Sequence, residues 1–460
     1  MHSSHDRPPA SRMRTQRSAH VSHPAHGVHM IMSRLGLCLA GATALILCAS
    51  LTTGTRAAPV EPVQTLVAQE KAPLLATLKD LVSIESFSGD REGLDKIAAL
   101  IGDRLAALGG KVEMIEPNPA DVYHMVDTPK EIGKMVLARF TGTGTKKILL
   151  IAHMDTVYVR GMLAKQPFRI DGNRAYGLGI ADDKHGIAVI MHTLAVLKAT
   201  SFRDYGLITV LINGDEEVAS AGSRAMLTRL GAEHDVVFSN EGPPVDSDRL
   251  SLTTAGIAAV VLNVQGKASH PGYAPERGVN ALYELAHQIL QMRDLSDPTT
   301  GLKMNWTVAS AGTKCNVIPA TASAIADVRV LRVADYDGIE QKVRDRIKNQ
   351  LIPDAKVEMT FQRMRPPLEM SAGAQALAKH AQSIYSELGM KLFISDVAEG
   401  GGTDAAFAAL RTKAPVIERF GLRGFGSHSN NAEYVEIDSI EPRLYLLTRM
   451  IMDVSQGRHE

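Results

Sequence analysis

Acidic residues and histidines stand at the ends of apolar runs along this 460-residue chain: His153 and Asp155, Asp182 and Asp183, Asp215 to Glu217, Glu241 and His428. Two histidines with several carboxylates suit a site for two divalent metal ions. A spare glutamate suits a base that deprotonates a bound water. No single piece is specific; the ordered set is.

Read one by one, each piece has a physical logic. In an extended strand His153 and Asp155 point to the same side, so one can ligate a metal while the other orients the imidazole. Asp182 and Asp183 are adjacent carboxylates at a turn, and their repulsion is relieved by a nearby cation. Asp215, Glu216 and Glu217 end a wholly apolar run, where three acids are costly unless paired or metal-bound. Glu241 follows another apolar run. His428 lies in a Gly-flanked loop, where a lone histidine is ordinarily a surface residue.

These residues need a scaffold, and the chain reads as alternating strands and helices. Helical stripes span 90–108 and 186–197, and buried strands span 147–152 and 207–212. Alternation of this kind predicts an α/β fold with a mostly parallel sheet flanked by helices. In such sheets ligands gather beyond the carboxyl ends of the strands. A second α+β region runs over 255–365, with strands at 258–264, 304–308, 322–331 and 356–361 and helices at 279–292 and 336–348. None of the metal candidates lies in it, so it reads as an insertion between residues 58–254 and 366–460. The chain then returns through helices at 374–388 and 443–452.

The first 57 residues read as a leader. Arg34 precedes an apolar stretch over 35–51, and Thr55-Arg56-Ala57 offers small residues for cleavage. Export to the periplasm or medium is expected, with no membrane association after cleavage. The His-rich residues 1–31 read as an over-extended start, with Met30 or Met32 as initiator. Six Arg and one Asp sit in the leader, which leaves 44 basic against 49 acidic residues, a net of −5. A balance of that sign argues against a nucleic-acid partner. Only Cys315 remains after the leader, so no internal disulfide is expected.

Taken together, seven segments resemble the M20 family of zinc peptidases, most nearly its glutamate carboxypeptidases. They are HMDTVY at 153–158, YGLGIADDK at 176–184, DEE at 215–217, GKASH at 266–270, NVIPA at 316–320, GGGTDAA at 400–406 and FGSHS at 425–429. They run in family order over almost all of the chain after the leader.

The resemblance implies roles. Two zinc ions per chain would be held by His153 and Glu241 on one side and Glu217 and His428 on the other, with Asp182 bridging. Glu216 would be the general base, Asp155 would steady His153, and the Asp182–Asp183 peptide would be cis. The inserted region would be a lid and dimerisation domain, placing His270 in the site of a partner subunit in a homodimer. Arg329 and Asn316 would bind the substrate, Arg329 gripping its free C-terminal carboxylate. Arg249 and Arg365 would hold a glutamate side chain, and Gly402 and Thr403 of the Gly-rich turn would contact substrate. The expected activity is hydrolysis of the amide bond to a C-terminal glutamate in folate-like, N-acyl or peptide substrates. A dipeptidase or N-acyl-amino-acid amidohydrolase is the alternative, and a non-catalytic binding protein is disfavoured by retention of Glu216 and all five ligands. Three departures bear on the pocket: Val218 lacks the family's usual glycine, Asn240 stands where an aromatic is common, and Pro271 follows His270 where alanine is common.

Overall fold

The computed structural model describes residues 58–460 apart from 126, 127, 399, 430, 431 and 460, and the leader reading at 1–57 lies outside the described residues. The central sheet has six strands in the order Lys111–Ile115, Met135–Thr141, Leu207–Asn213, Lys147–His153, Val236–Ser239 and Val416–Ile417. Its last four run parallel, and Met135–Thr141 lies antiparallel to both of its neighbours. The expected mostly parallel α/β sheet is therefore present. Two antiparallel strands at its edge were not anticipated from the sequence.

Side-chain alternation explains why the middle strands are apolar throughout. Ile148, Leu150 and Ala152 pack toward helices Val63–Val82, His185–Ala199 and Ile440–Ser455. Leu149 and Ile151 pack on the other face, toward helices Arg224–Glu233 and Asp404–Ala409. Both faces are dry, and each buried Leu or Ile contributes about 1.5–3 kcal/mol. Apart from Thr209, polar positions of the middle strands appear only at the strand ends. Helix Arg91–Ala107 starts where expected, because the Asp90 carboxylate accepts the Gly93 amide. Helix Ile440–Ser455 begins earlier than its apolar stripe suggests. Pro442 falls in its first turn, where a missing amide leaves no carbonyl unserved.

Residues 256–365 form a separate four-stranded antiparallel sheet, ordered Lys303–Ala311, Thr321–Val330, Gly256–Gln265 and Lys356–Arg365. It has its own core, to which helices Ala281–Gln291 and Asp335–Arg346 contribute. On Thr321–Val330 the even-numbered Ala322 to Val330 enter that core, so Asp327 and Arg329 occupy the opposite face. Among the described residues no helix is long and apolar enough to cross a membrane.

Candidate metal centre and active site

The acidic and histidine candidates converge at the carboxyl ends of the parallel strands, where α/β sheets gather ligands. His153 is the last residue of its strand, Asp215 to Glu217 follow Leu207–Asn213, and Glu241 follows Val236–Ser239. Asp182 and His428 come in on loops. The Asp182–Asp183 peptide is cis. The Asp182 turn is fixed by Glu433, whose two oxygens accept the Gly179 amide at 2.9 Å and the Ala181 amide at 2.7 Å. Gly179 has φ 72°, a conformation that favours glycine.

Asp182 is the hub. Its Oδ1 lies 3.0 Å from His153 Nε2 and its Oδ2 lies 3.4 Å from His428 Nε2, one oxygen toward each histidine. Glu217 Oε2 stands 3.0 Å from His428 Nε2. Donor atoms of Asp182, Glu217 and His428 lie within 4.8 Å of one another. Glu241 lines the same cavity, of about 650 Å³.

Electrostatics make this cluster a demand for positive charge. Burial, then Glu418, Glu216 and Asp182, drives the Glu241 carboxyl well above its usual range. Burial raises Glu217 too. Hydrogen bonds to Asp182 and Glu217 push His428 up to about 10. The buried Oε1 of Glu217 has no hydrogen-bond partner. An orphaned carboxylate oxygen, two imidazole nitrogens and crowded acids are the donor set that divalent zinc takes. The residues present fit the metals that the resemblance implies.

Asp155 lies just beyond the strand end rather than within it, and still contacts the imidazole, Oδ1 to His153 Nδ1 at 3.3 Å. It also accepts the amides of Glu216 at 3.0 Å and Glu217 at 3.1 Å, and the Ser88 hydroxyl at 2.7 Å. One buried carboxylate thus fixes a ligand and the segment carrying the candidate base.

The predicted substrate residues divide. Arg329 lines the cavity with its Nε 2.9 Å from Asp327 Oδ1 and its Nη2 2.9 Å from Asp327 Oδ2. Gly402 lines it too, and packs so closely on Arg365 that an added Cβ would lie 2.4 Å from Arg365 Cδ. Arg365 is buried on Glu216, Nη1 to Oε1 at 2.6 Å, and lies 3.8 Å from Asp404. It pairs with the candidate base while lining the same cavity. Arg249 is placed apart from them: its short strand pairs with Phe393–Ser395 off the main sheet, its side chain turns to Asp246 at 3.5 Å, and it is not among the cavity's described lining residues. Thr403 is buried, caps helix Asp404–Ala409 and donates to Glu418. His270 and Asn316 are exposed at one end of the inserted sheet, their loops joined by the Ile318 amide on the Ser269 carbonyl at 2.9 Å, and neither is among the described lining residues of the cavity.

Several residues that matter to this site went unnoticed in the sequence. Glu433, Glu418 and Asp404 are buried supports, and Arg419 is a lining residue. Arg224 donates to the Met364 carbonyl of the lid strand at 2.9 Å and to the Ser220 carbonyl at 3.3 Å, clipping lid to active-site segment. Of these only Glu418 left a trace, as a charge after the apolar run Ala414 to Ile417.

The model of the peptidase family M20/M25/M40 matches residues 149–453. This chain belongs to the M20 peptidase family. The M20 peptidase is 43% identical over 389 residues to carboxypeptidase G2 of Pseudomonas sp. (strain RS-16), covering 85% of this chain and 91% of that one. Its fold matches an M20 family metallo-carboxypeptidase from Sulfolobus solfataricus with a TM-score of 0.65 at 15% identity, over 83% of this chain and 99% of the other. It also matches a dinuclear metal-binding M20 peptidase of Bacillus subtilis, TM-score 0.61 at 15% identity, over 85% and 99% of the two chains. The M20 peptidase is accordingly a metal-dependent hydrolase.

Proposed function

We propose that this M20 peptidase is a carboxypeptidase with two zinc ions per chain, cleaving the amide bond to a C-terminal glutamate in folate-like, N-acyl or peptide substrates. One observation carries the reading. Arg329 faces the same cavity as Glu216 and the Asp182-centred ligand set, so carboxylate recognition and hydrolytic groups share one space. The long likeness to carboxypeptidase G2 supports it.

His153, Asp182 and Glu241 would hold one ion, and Asp182, Glu217 and His428 the other. When bound, the ions supply Lewis-acid polarisation of the scissile carbonyl and lower the pKa of a coordinated water toward ~7. The remaining work belongs to the chain. Asp327 fixes one edge of the Arg329 guanidinium, leaving Nη1 toward Gly400 and the cavity to meet the substrate's α-carboxylate. Glu216 takes a proton from the attacking water and returns it to the leaving amine nitrogen. Burial drives the Glu216 carboxyl upward, and Arg365 and His153 oppose that drive. The net effect holds that carboxyl well above its ordinary range, which favours its taking up the proton.

His270 fits a role in a homodimer. Its loop is exposed, as are Tyr273, Val308 and Val317, and strand Lys303–Ala311 forms an edge of the lid sheet. His270 of the partner subunit would then donate to the oxyanion of the tetrahedral intermediate.

A substrate panel tests the reading. The metal-loaded protein should cleave folate and N-acyl-glutamates, with lower kcat/KM for N-acyl-leucine and for dipeptides with a free amino terminus. Preference for dipeptides, or for N-acyl amino acids without an acidic side chain, would make it an M20 dipeptidase or amidohydrolase instead.

A further inference from the structure

A C-terminal glutamate brings two carboxylates into the cavity, and the tertiary structure decides which arginines line it. Arg249 lies outside the lining, and Arg365 is spent on Glu216. Besides these, the described lining holds Arg329, on the lid side, and Arg419, on the side of the catalytic sheet.

Arg419 is built into the wall. It follows strand Val416–Ile417, so it emerges at the same carboxyl-end rim as His153 and Glu241. Its φ is 78°, in the left-handed region where glycine is the usual occupant. The neighbours hold it there. The Glu418 amide donates to the Ser251 carbonyl at 3.0 Å and the Phe420 amide to the Ser239 carbonyl at 3.1 Å. The Arg419 amide donates to the buried Glu418 carboxylate at 3.0 Å, and buried Arg443 donates to the Arg419 carbonyl at 2.8 Å. The side chain is steered as well, Nη1 donating to the Gly242 carbonyl at 3.0 Å, next to Glu241. A turn that needed only its backbone shape would be served by glycine. Strain at a long cationic residue, fixed from both sides and facing a substrate cavity, points to a clamp for an anion.

We propose that Arg419 is the specificity-determining residue for the side chain of the substrate's C-terminal residue. Its guanidinium pairs with the γ-carboxylate of glutamate while Arg329 takes the α-carboxylate. The proposal rests on the carboxypeptidase reading above. It assigns side-chain choice to a residue that the sequence did not single out.

The test compares matched N-acyl substrates ending in glutamate and in glutamine, which share shape and differ in charge. In the metal-loaded wild type, kcat/KM should favour glutamate. Arg419→Gln should lower the glutamate value roughly tenfold to a hundredfold, the range for a lost charge-assisted contact, and leave the glutamine value within about threefold. Arg419→Gly should do the same, because glycine suits a φ of 78° and spares the backbone. Metal content and melting temperature serve as the readouts of fold. If both variants keep the wild-type preference, Arg419 is not the reader and the carboxypeptidase reading survives. If glutamate and glutamine substrates fall together in both variants, Arg419 supports the wall and the proposal is overturned. If the wild type itself shows no preference for glutamate, the specificity reading and this one fall together.

Discussion

Arg365 Nη1 stands 2.6 Å from Glu216 Oε1, with both side chains buried, so a residue at the end of the lid's last strand holds the candidate base of the catalytic domain. The pair joins the inserted sheet to the candidate base, and it comes with a cost if broken. Removing one partner of a buried ion pair is destabilising by about 3–5 kcal/mol, because the other charge is left uncompensated. Arg365→Ala should therefore lower the urea midpoint. It should also reduce kcat/KM by roughly 10², the loss expected when a reacting group is misplaced by about 1 Å. The loss should be equal for substrates ending in glutamate and glutamine. A loss confined to glutamate substrates would return Arg365 to a side-chain role.

Asp182 turns one oxygen to His153 and the other to His428, at 3.0 and 3.4 Å. Metal analysis of the active protein should find roughly two divalent ions per chain, the number a bridged pair requires, and chelation should abolish activity. Asp182→Asn should weaken both ions together, since one residue serves both. A variant that lost only one, or bound both as tightly as the wild type, would remove the bridging assignment.

Glu216 and His270 make separable predictions. Glu216→Gln should keep its metal and lose kcat by roughly 10² or more, as loss of a general base implies. Mixing inactive Glu216→Ala and His270→Ala chains should restore activity after subunit exchange, because one site of a mixed dimer carries neither defect. Confirmed exchange without rescue would place His270 outside the chemistry or within its own chain.

A pH dependence of stability follows from a histidine remote from the site. His234 is buried with Nδ1 2.7 Å from the Leu230 carbonyl and Nε2 2.7 Å from the Thr209 hydroxyl. Both contacts are satisfied by the neutral ring, and burial pulls its pKa below the ordinary 6.5, against the opposing Leu230 hydrogen bond. The unfolded chain then binds the proton more readily than the folded one. The contribution is fully present above about pH 6.5 and is lost as pH falls through that value and through the folded pKa. Urea midpoints measured from pH 8 to pH 5 should fall, and His234→Gln should flatten part of that slope. An unchanged slope in the variant would assign the effect to other groups.

The sequence by itself picked out the acids and histidines that the fold brings together, the order of their pieces and the α/β class. Those are local facts: apolar runs of strand length, acids at their ends, and helical stripes with clear stops at Asp90 and Gly109. Period-two alternation on Thr321–Val330 puts Asp327 and Arg329 on one face. Tertiary structure decided which arginine serves which partner. Arg249, Arg365 and Arg419 are equivalent as letters, each a long cation near a strand. Their separation depends on strand pairing across more than a hundred residues: the Arg249 strand is drawn off beside Phe393–Ser395, Arg365 is delivered to Glu216 by the lid strand, and Arg419 follows a strand of the central sheet. Long side chains reach several ångströms from their backbone, so their partners are set by what folding brings near them, and spacing along the chain carries no record of that.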